Sequence, residues 1–388
     1  MMKRIYLDNA SSTPVDPAVL ETMRTAYLEF PGNPSSMHSD GTRAKTAMEE
    51  ARSELALMLN ARPDELYFTS GGTEANNWAL KGYALANRGK GNRILISSIE
   101  HDCVLNASRW LEEQGFEVTF LPVGGDGIVD PDTVARAITA DTIMVSVMHV
   151  NNELGTIQPV RDIARIAGEH QVCFHTDACQ SFGKIDLDAG DSGVTMISLN
   201  AHKIYGPRGI GALYIRKGTR IQPLLHGGGQ ERGLRSTTEN LPAIMAFARA
   251  AALCREHRED EQQRISGLCG MLVKRLTDMF DHVYFNGDPE QRVPGILNFS
   301  FSGEEGETIR LLLMLDEEGI SVSTGSACSS NHADAGGSHV LQAIGRNPVE
   351  ARGAIRVSIG RFNTEDDVEL FCRALSAIAA KLHPIYSY

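Results

Sequence analysis

Apolar residues recur at helical spacing between residues 42 and 59, where Ala44, Ala47, Met48, Ala51, Leu55 and Leu59 share one face. Upstream, YLDNASSTPVDPAVLETM reads as a short strand, a turn rich in Asn, Ser and Pro, and a helix beginning near Asp16 and Pro17. FPGNPSSMHSDG, with prolines and glycines between helical patterns, is expected to be a loop. From residue 65 the period changes. ELYFTS, RILISS, EVTFLPV, TIMVSVMHV, VCFHTD and VTMISL are short runs rich in β-branched and aromatic residues, the composition of strands. Helical patterns lie between several of them: residues 73–85, a segment ending near Leu111, and residues 160–169. Strands alternating with helices predict an α/β fold built on a mainly parallel sheet covered on both faces.

EHREDEQQ, residues 256–263, marks a shift to a charge-rich, solvated helix. A helix to about residue 280 is expected after it, then strands at HVYFN and GILNFSF and a helix over 308–318. The chain closes with a strand at ISVST, a loop, a short helix, a strand at AIRVSIG and a final helix. This is the pattern of a smaller α+β domain, which the N-terminal strand joins. The expected division is 14–258 for the large domain, with 1–13 and 259–388 forming the small one.

In an open parallel sheet, ligands bind outside the carboxyl ends of the strands. Polar residues stand there repeatedly in this chain. Thr73 and Glu74 follow ELYFTS, His101 follows RILISSIE, and Asn151 and Asn152 follow TIMVSVMHV. Asp177 and Gln180 come after VCFHT, and His202 and Lys203 after VTMISL. Each also has an ordinary reading. The GGTE turn offers N–H groups to a phosphate, or is simple strand-to-helix geometry. Asp177 is either a buried carboxylate awaiting a cation or a helix N-cap. His101 either relays a proton or sits exposed in a first helical turn. Lys203 lies between two apolar segments, so its amine either snorkels to water or forms a Schiff base with a cofactor aldehyde. Five strand ends carrying such side chains to one rim favour the functional readings together.

Composition narrows the partners. A chain of 388 residues with 42% hydrophobic and 22% charged content has the makeup of a globular protein. Its net charge of −12 argues against nucleic acid or an anionic membrane as the main partner. MMKRIYLDNASS turns polar too early for a secretory signal, and no apolar run approaches a membrane span. Seven widely spaced cysteines without a CxxC pair suit a reducing compartment, so a cytoplasmic location is expected. Six of them have the surroundings of small core residues. Cys328 differs: it lies in TGSACSSNHADAGGSH, a small and polar stretch unlike any core, and is either a plain loop thiol or a reactive one.

YLDNASSTP, GNPSSMH, SGGTEANN, EHDCVL, HVNNELGTIQP, HTDACQSFGK, NAHKIYGPRGIGALYI, GGGQERGLRSTTEN, SVSTGSACSS and IRVSIGRFN occur in this order along the chain. Together they resemble the cysteine desulfurases, class V members of the fold-type I pyridoxal-phosphate enzymes. The resemblance runs from about Ile5 to about Phe371. It implies a large domain with a mainly parallel seven-stranded sheet and a smaller α+β domain. It also implies pyridoxal 5′-phosphate held as an internal aldimine by Lys203, with Asp177 on the pyridine nitrogen and His101 stacked on the ring. Gln180 would bond the ring hydroxyl, and Thr73, Asn200 and His202 would hold the phosphate. Thr238 would reach the cofactor phosphate of a second subunit, making a homodimer. Asn152 and Arg356 would orient the substrate, with Arg356 forking onto its carboxylate.

The implied reaction converts L-cysteine to L-alanine. Lys203 removes the α-proton and the Cys328 thiolate takes the sulfur as a persulfide. The sulfur then passes to an acceptor protein, for iron–sulfur cluster assembly or thio-modification of tRNA or DNA. Two positions depart from the family pattern. Asn200 stands where serine is usual, three residues before the lysine; an amide still donates to a phosphate oxygen. The segment after Cys328 is longer and carries His332, Asp334 and His339; a solvated loop is expected rather than a metal site. The alternatives are a selenocysteine or cystine lyase, or a class V aminotransferase, on the same cofactor. A non-catalytic binding subunit is a further one, and the set of Lys203, Asp177 and His101 argues against it.

Overall fold

The computed structural model describes residues 4–324 and 337–382. Seven strands form the main sheet: β2 (Leu66–Thr69), β3 (Arg93–Ser97), β4 (Glu117–Leu121), β5 (Thr142–Ser146), β6 (Cys173–Asp177), β7 (Met196–Asn200) and β8 (Gly211–Ile215). β1 (Ile5–Tyr6) lies outside it. The spatial order is β2-β8-β7-β6-β5-β3-β4, with every pair parallel except the two that β8 makes. Strands β5 to β8 are buried at every position. Uninterrupted burial is what a strand covered on both faces requires, and explains their near-continuous apolar sequences.

Alternate residues feed opposite cores. Leu95, Phe174 and Ile197 pack with Phe68 and Phe247 on one face. Their neighbours Ile94, Ile96, Cys173 and Met196 pack with Trp78 and Leu111 on the other. The period of two therefore serves two helical layers at once. Near the start, Asp16 caps the Pro17–Glu29 helix by accepting from the Ala18 amide at 2.9 Å, as the Asp–Pro pair anticipates. The helix expected at 73–85 forms as a helical run with a π segment, Trp78–Gly82, in its middle.

A second group of strands completes the fold. β9 (Val283–Phe285), β10 (Ile296–Phe301) and β12 (Ala354–Ser358) make an antiparallel sheet in the order β12-β10-β9. β1 pairs in parallel with β11 (Ile320–Ser321), so the N-terminal strand joins this part of the chain as expected. Ile5, Leu7, Leu272, Phe299, Ile355 and Phe371 share its core. The sequence pattern differs from the structure at the charge-rich stretch. Instead of a solvated helix followed by another, one helix of 39 residues runs over Leu241–Met279. Glu, Arg and Gln are good helix formers, so the charged turns extend the helix without interrupting it. Its first half packs Leu241 to Cys254 into the sheet's core and its second half packs Leu268 to Leu276 into the other. The expected boundary at 258/259 falls inside this helix.

Candidate active site

The carboxyl ends of β2, β3, β5, β6 and β7 open onto one cavity of about 500 Å³, to whose lining Arg356 of β12 also contributes. Thr73, His101, Asn152, Asp177, Asn200, His202, Lys203 and Arg356 all line it. Gln180 and Thr238 are not in that lining. Gln180 donates to the Ala10 carbonyl at 2.8 Å and accepts from the Lys184 ammonium at 3.1 Å. Thr238 is exposed in the loop that follows β8. Cys328, with His332 and Asp334, lies outside the described residues. Among the described residues no cluster of His, Cys, Asp and Glu has the makeup of a metal site.

Lys203 sits three residues beyond the end of β7 and is only 9% exposed. Its amine makes no hydrogen bond or ion pair with any described residue. An amine at a cavity wall with no ion-pair partner is placed to react with a carbonyl group. Asp177, at the end of β6, is equally buried. Its carboxylate accepts from the Cys179 amide at 2.8 Å and from Asn76 Nδ2 at 2.7 Å. Both donors are neutral, so the negative charge is stabilised by hydrogen bonds while its electrostatic partner is missing from the protein itself. The Cys179 contact is a local turn bond; no helix follows Asp177, so the helix N-cap reading is not met.

Glycine shapes the phosphate-like cradle. A Cβ added at Gly72 would stand 2.4 Å from Cys179 Sγ, and the Asn200 amide nitrogen is 3.4 Å away. Only glycine lets the turn after β2 approach β7 and bring the Thr73 hydroxyl and first helical amides to the cavity. Asn200 Oδ1 is buried without a hydrogen-bond partner. The loop carrying Thr238 is fastened to this turn, since Arg235 forks onto Glu74 at 2.7 and 2.8 Å.

Arg356 is 2% exposed and forms an ion pair that sequence patterns miss. One terminal nitrogen donates to Asp8 Oδ1 at 2.7 Å and Ser11 Oγ at 2.6 Å, and the other to the Asn152 carbonyl at 2.9 Å. These contacts hold a guanidinium at the cavity rim. Its backbone pairs with Ser323 at 2.7 and 3.2 Å. Across the gap of undescribed residues, Ser338 donates to Glu153 at 2.6 Å, and His339 Nε2 lies 2.9 Å from the Glu100 carbonyl. Of the described residues that flank Cys328, His339 lines the cavity, and Ser323 pairs with Arg356, which lines it too. Asp8 and Ser11 were visible only as part of the YLDNASS motif, and nothing in the local pattern tied them to an arginine near the other end of the chain.

Four histidines of this region are held toward their neutral form. Burial and the nearby Lys203 charge lower His101 below its ordinary value. Burial, with Lys203 and Arg208, pushes His202 down to about 4, and its Nδ1 lies 3.3 Å from the Ser12 hydroxyl. Burial alone takes His149 to about 4, and burial does the same for the fully enclosed His175, held between Ser146 and Ser198. An unfolded histidine titrates near ~6.5. Between these values the unfolded chain binds more protons than the folded one, so stability rises with pH across that window and falls on acidification. His149 and His175 should each cost on the order of 2 kcal/mol between pH 7 and pH 4. Urea midpoints measured across this range should decline, and His175→Gln should decline less steeply by one histidine's share.

Residues 5–371 match the class-V aminotransferase family. The chain is 45% identical to the cysteine desulfurase IscS of Dictyoglomus turgidum, over all of this chain and 98% of that protein. It is 44% identical to the mitochondrial cysteine desulfurase of Saccharomyces cerevisiae, over 96% of this chain and 74% of that one. Among solved structures it is similar to a NifS-like protein, with a TM-score of 0.91 and 38% identity over 98% of this chain and all of the other. It is similar too to SspA in complex with cysteine, with a TM-score of 0.83 and 38% identity over 93% of this chain and all of that one.

Proposed function

Because the chain belongs to the cysteine desulfurases of the class-V aminotransferase family, we propose that this cavity turns L-cysteine into L-alanine and hands the sulfur to Cys328. The family depends on pyridoxal phosphate, and the residues present fit that group. The observation that carries the reading is the pairing, in one cavity, of a buried amine without a partner and a buried carboxylate without a cation. An aldehyde would engage Lys203, and a protonated pyridine nitrogen would supply the charge that Asp177 lacks. Thr73, the Asn200 amide, His202 and the amides after Gly71 are the donors for the phosphate. When bound, the cofactor supplies an electron sink for the α-carbon of an amino acid.

The chain's own residues do the rest. Arg356 presents its guanidinium to the substrate carboxylate, with Asn152 beside it. Lys203 takes the α-proton and returns one to the product. Cys328 attacks the substrate sulfur: the new S–S bond forms as the Cβ–S bond breaks, and the carbon skeleton gains a proton and leaves as alanine. The resulting persulfide passes by thiol exchange to an acceptor protein, serving iron–sulfur cluster assembly or thio-modification of tRNA or DNA. To reach a ring hydroxyl, Gln180 would have to give up its bond to the Ala10 carbonyl. Thr238, exposed and fastened beside Thr73 through Arg235 and Glu74, serves the site of a second copy in a homodimer. Exposed Tyr27, Leu28 and Met37 offer apolar surface for such a contact. No helix among the described residues is long and apolar enough to cross a membrane.

Peptide mapping after a pulse of L-cysteine tests the reading. One sulfur should be found on the Cys328 peptide for each alanine released, with none on the peptides of Cys103 or Cys179. Alanine formed with no sulfur on Cys328 would point to a lyase. Keto-acid formation would point to an aminotransferase.

A further inference from the structure

Cys103 is a second thiol at the cavity wall, and the reaction proposed above gives it no part. It stands in the first turn of the Asp102–Glu113 helix, two residues after His101, which caps that helix. Its backbone amide donates to His101 Nδ1 at 3.2 Å, and its Sγ lies 3.1 Å from the same nitrogen. On its other side Sγ accepts from Asn76 Nδ2 at 3.2 Å. That same amide nitrogen donates to Asp177 at 2.7 Å.

The donors and acceptors can be assigned by elimination. A backbone N–H only donates, so His101 Nδ1 carries no proton. The sulfur–Nδ1 contact then needs its proton from the thiol, and the two hydrogens of the Asn76 amide go one to sulfur and one to the carboxylate. Burial and the neighbouring Asp177 push the Cys103 thiol up to about 12, which agrees with a thiol that keeps its proton. We propose that Cys103 is a positioning residue: it fixes His101 as the neutral tautomer protonated at Nε2 and ties that ring, through Asn76, to the carboxylate of Asp177. This rests on the cofactor reading of the cavity. Nδ1 is then a structural acceptor, and Nε2 would be the nitrogen left for substrate and cofactor.

The test uses the cofactor-loaded enzyme with ¹⁵N-labelled histidine and the variants Cys103→Ala and Cys103→Ser. In the parent protein the nitrogen shifts of His101 should show an unprotonated Nδ1 and a protonated Nε2. Loss of one hydrogen bond to neutral Nδ1, worth about 0.5–1.5 kcal/mol, should favour the imidazolium by roughly two- to tenfold. In Cys103→Ala, the His101 titration and the acid limb of kcat/KM should therefore move up by as much as about one pH unit. Cys103→Ser, which keeps a donor, should stay near the parent. Charged and titratable groups facing His101 come from several elements: Asp102 on its own helix, Asp177 after β6, Lys203 after β7 and His339 beyond the gap. They are unchanged in both variants. A proton found on Nδ1 in the parent, or an alanine variant with unmoved nitrogen shifts and an unmoved acid limb, would overturn the proposal. The nitrogen shifts are read without turnover, so a failure of the desulfurase reading leaves this part of the result standing.

Discussion

Lys203→Ala should lower turnover of L-cysteine by about a thousandfold or more, since it removes both the covalent anchor and the base for the α-proton. The cofactor should also become removable by gel filtration, where the parent protein retains it. The more diagnostic arm is stability. The Lys203 amine is buried and has no partner among the described residues. Deleting it breaks no ion pair and no hydrogen bond to a described residue. The cofactor-free variant should therefore melt at the same temperature as the cofactor-free parent, or higher. A structural lysine would behave in the opposite way, losing stability while keeping turnover. Near-parental activity in this variant would refute the assignment.

Glu231→Ala should cost about 3–5 kcal/mol in urea unfolding, the largest stability effect expected of any single carboxylate here. Glu231 is 5% exposed and Arg52 is 2% exposed. They form two parallel bonds of 2.8 Å, and Glu231 also accepts from the Phe68 amide at 2.8 Å. The guanidinium lies 4.5 Å from the Phe68 ring centre and donates to the Leu66 carbonyl. Removing the acid leaves the buried guanidinium with only the partly exposed carboxylate of Glu49, which it meets at 3.0 Å, and leaves the Phe68 N–H unpaired. Glu231 and Arg232 also hold φ values of 46° and 59°, in the left-handed region that side chains avoid. The ion pair compensates that strain, and with it sets the entry of the loop that carries Arg235 and Thr238. Replacing both partners, as in Arg52→Met with Glu231→Leu, should recover a large part of the loss, because no buried charge then remains. A single-variant cost below about 1 kcal/mol would show that water reaches the pair.

Much of the site was legible because the fold makes it so. In a parallel sheet every strand points its carboxyl end the same way, so a polar residue just past an apolar run has a known address. That address holds for Thr73, Glu74, His101, Asn152, Asp177, His202 and Lys203, which all line one cavity, but not for Asn151, which is fully buried and donates to the Ile99 carbonyl. It fails for residues whose orientation is decided by distant partners. Gln180 follows the same strand as Asp177, but its amide is taken up by Ala10 and Lys184. Arg356 reads from its strand as an ordinary surface arginine; its neighbours Asp8 and Ser11 come from the opposite end of the chain.

Local chemistry on its own determined the alternation of strands and helices, the parallel sheet and the rim where reactive side chains gather, because each depends on side-chain period and on short-range turns. The ordered motifs added the family. Tertiary structure decided that one helix of 39 residues serves two cores, since helix formers continue a helix wherever packing at both ends rewards it. It also decided that Lys203 and Asp177 are left without charge partners, and that Cys103 turns toward His101. Those are properties of who stands opposite whom across the cavity, and spacing along the chain does not encode them.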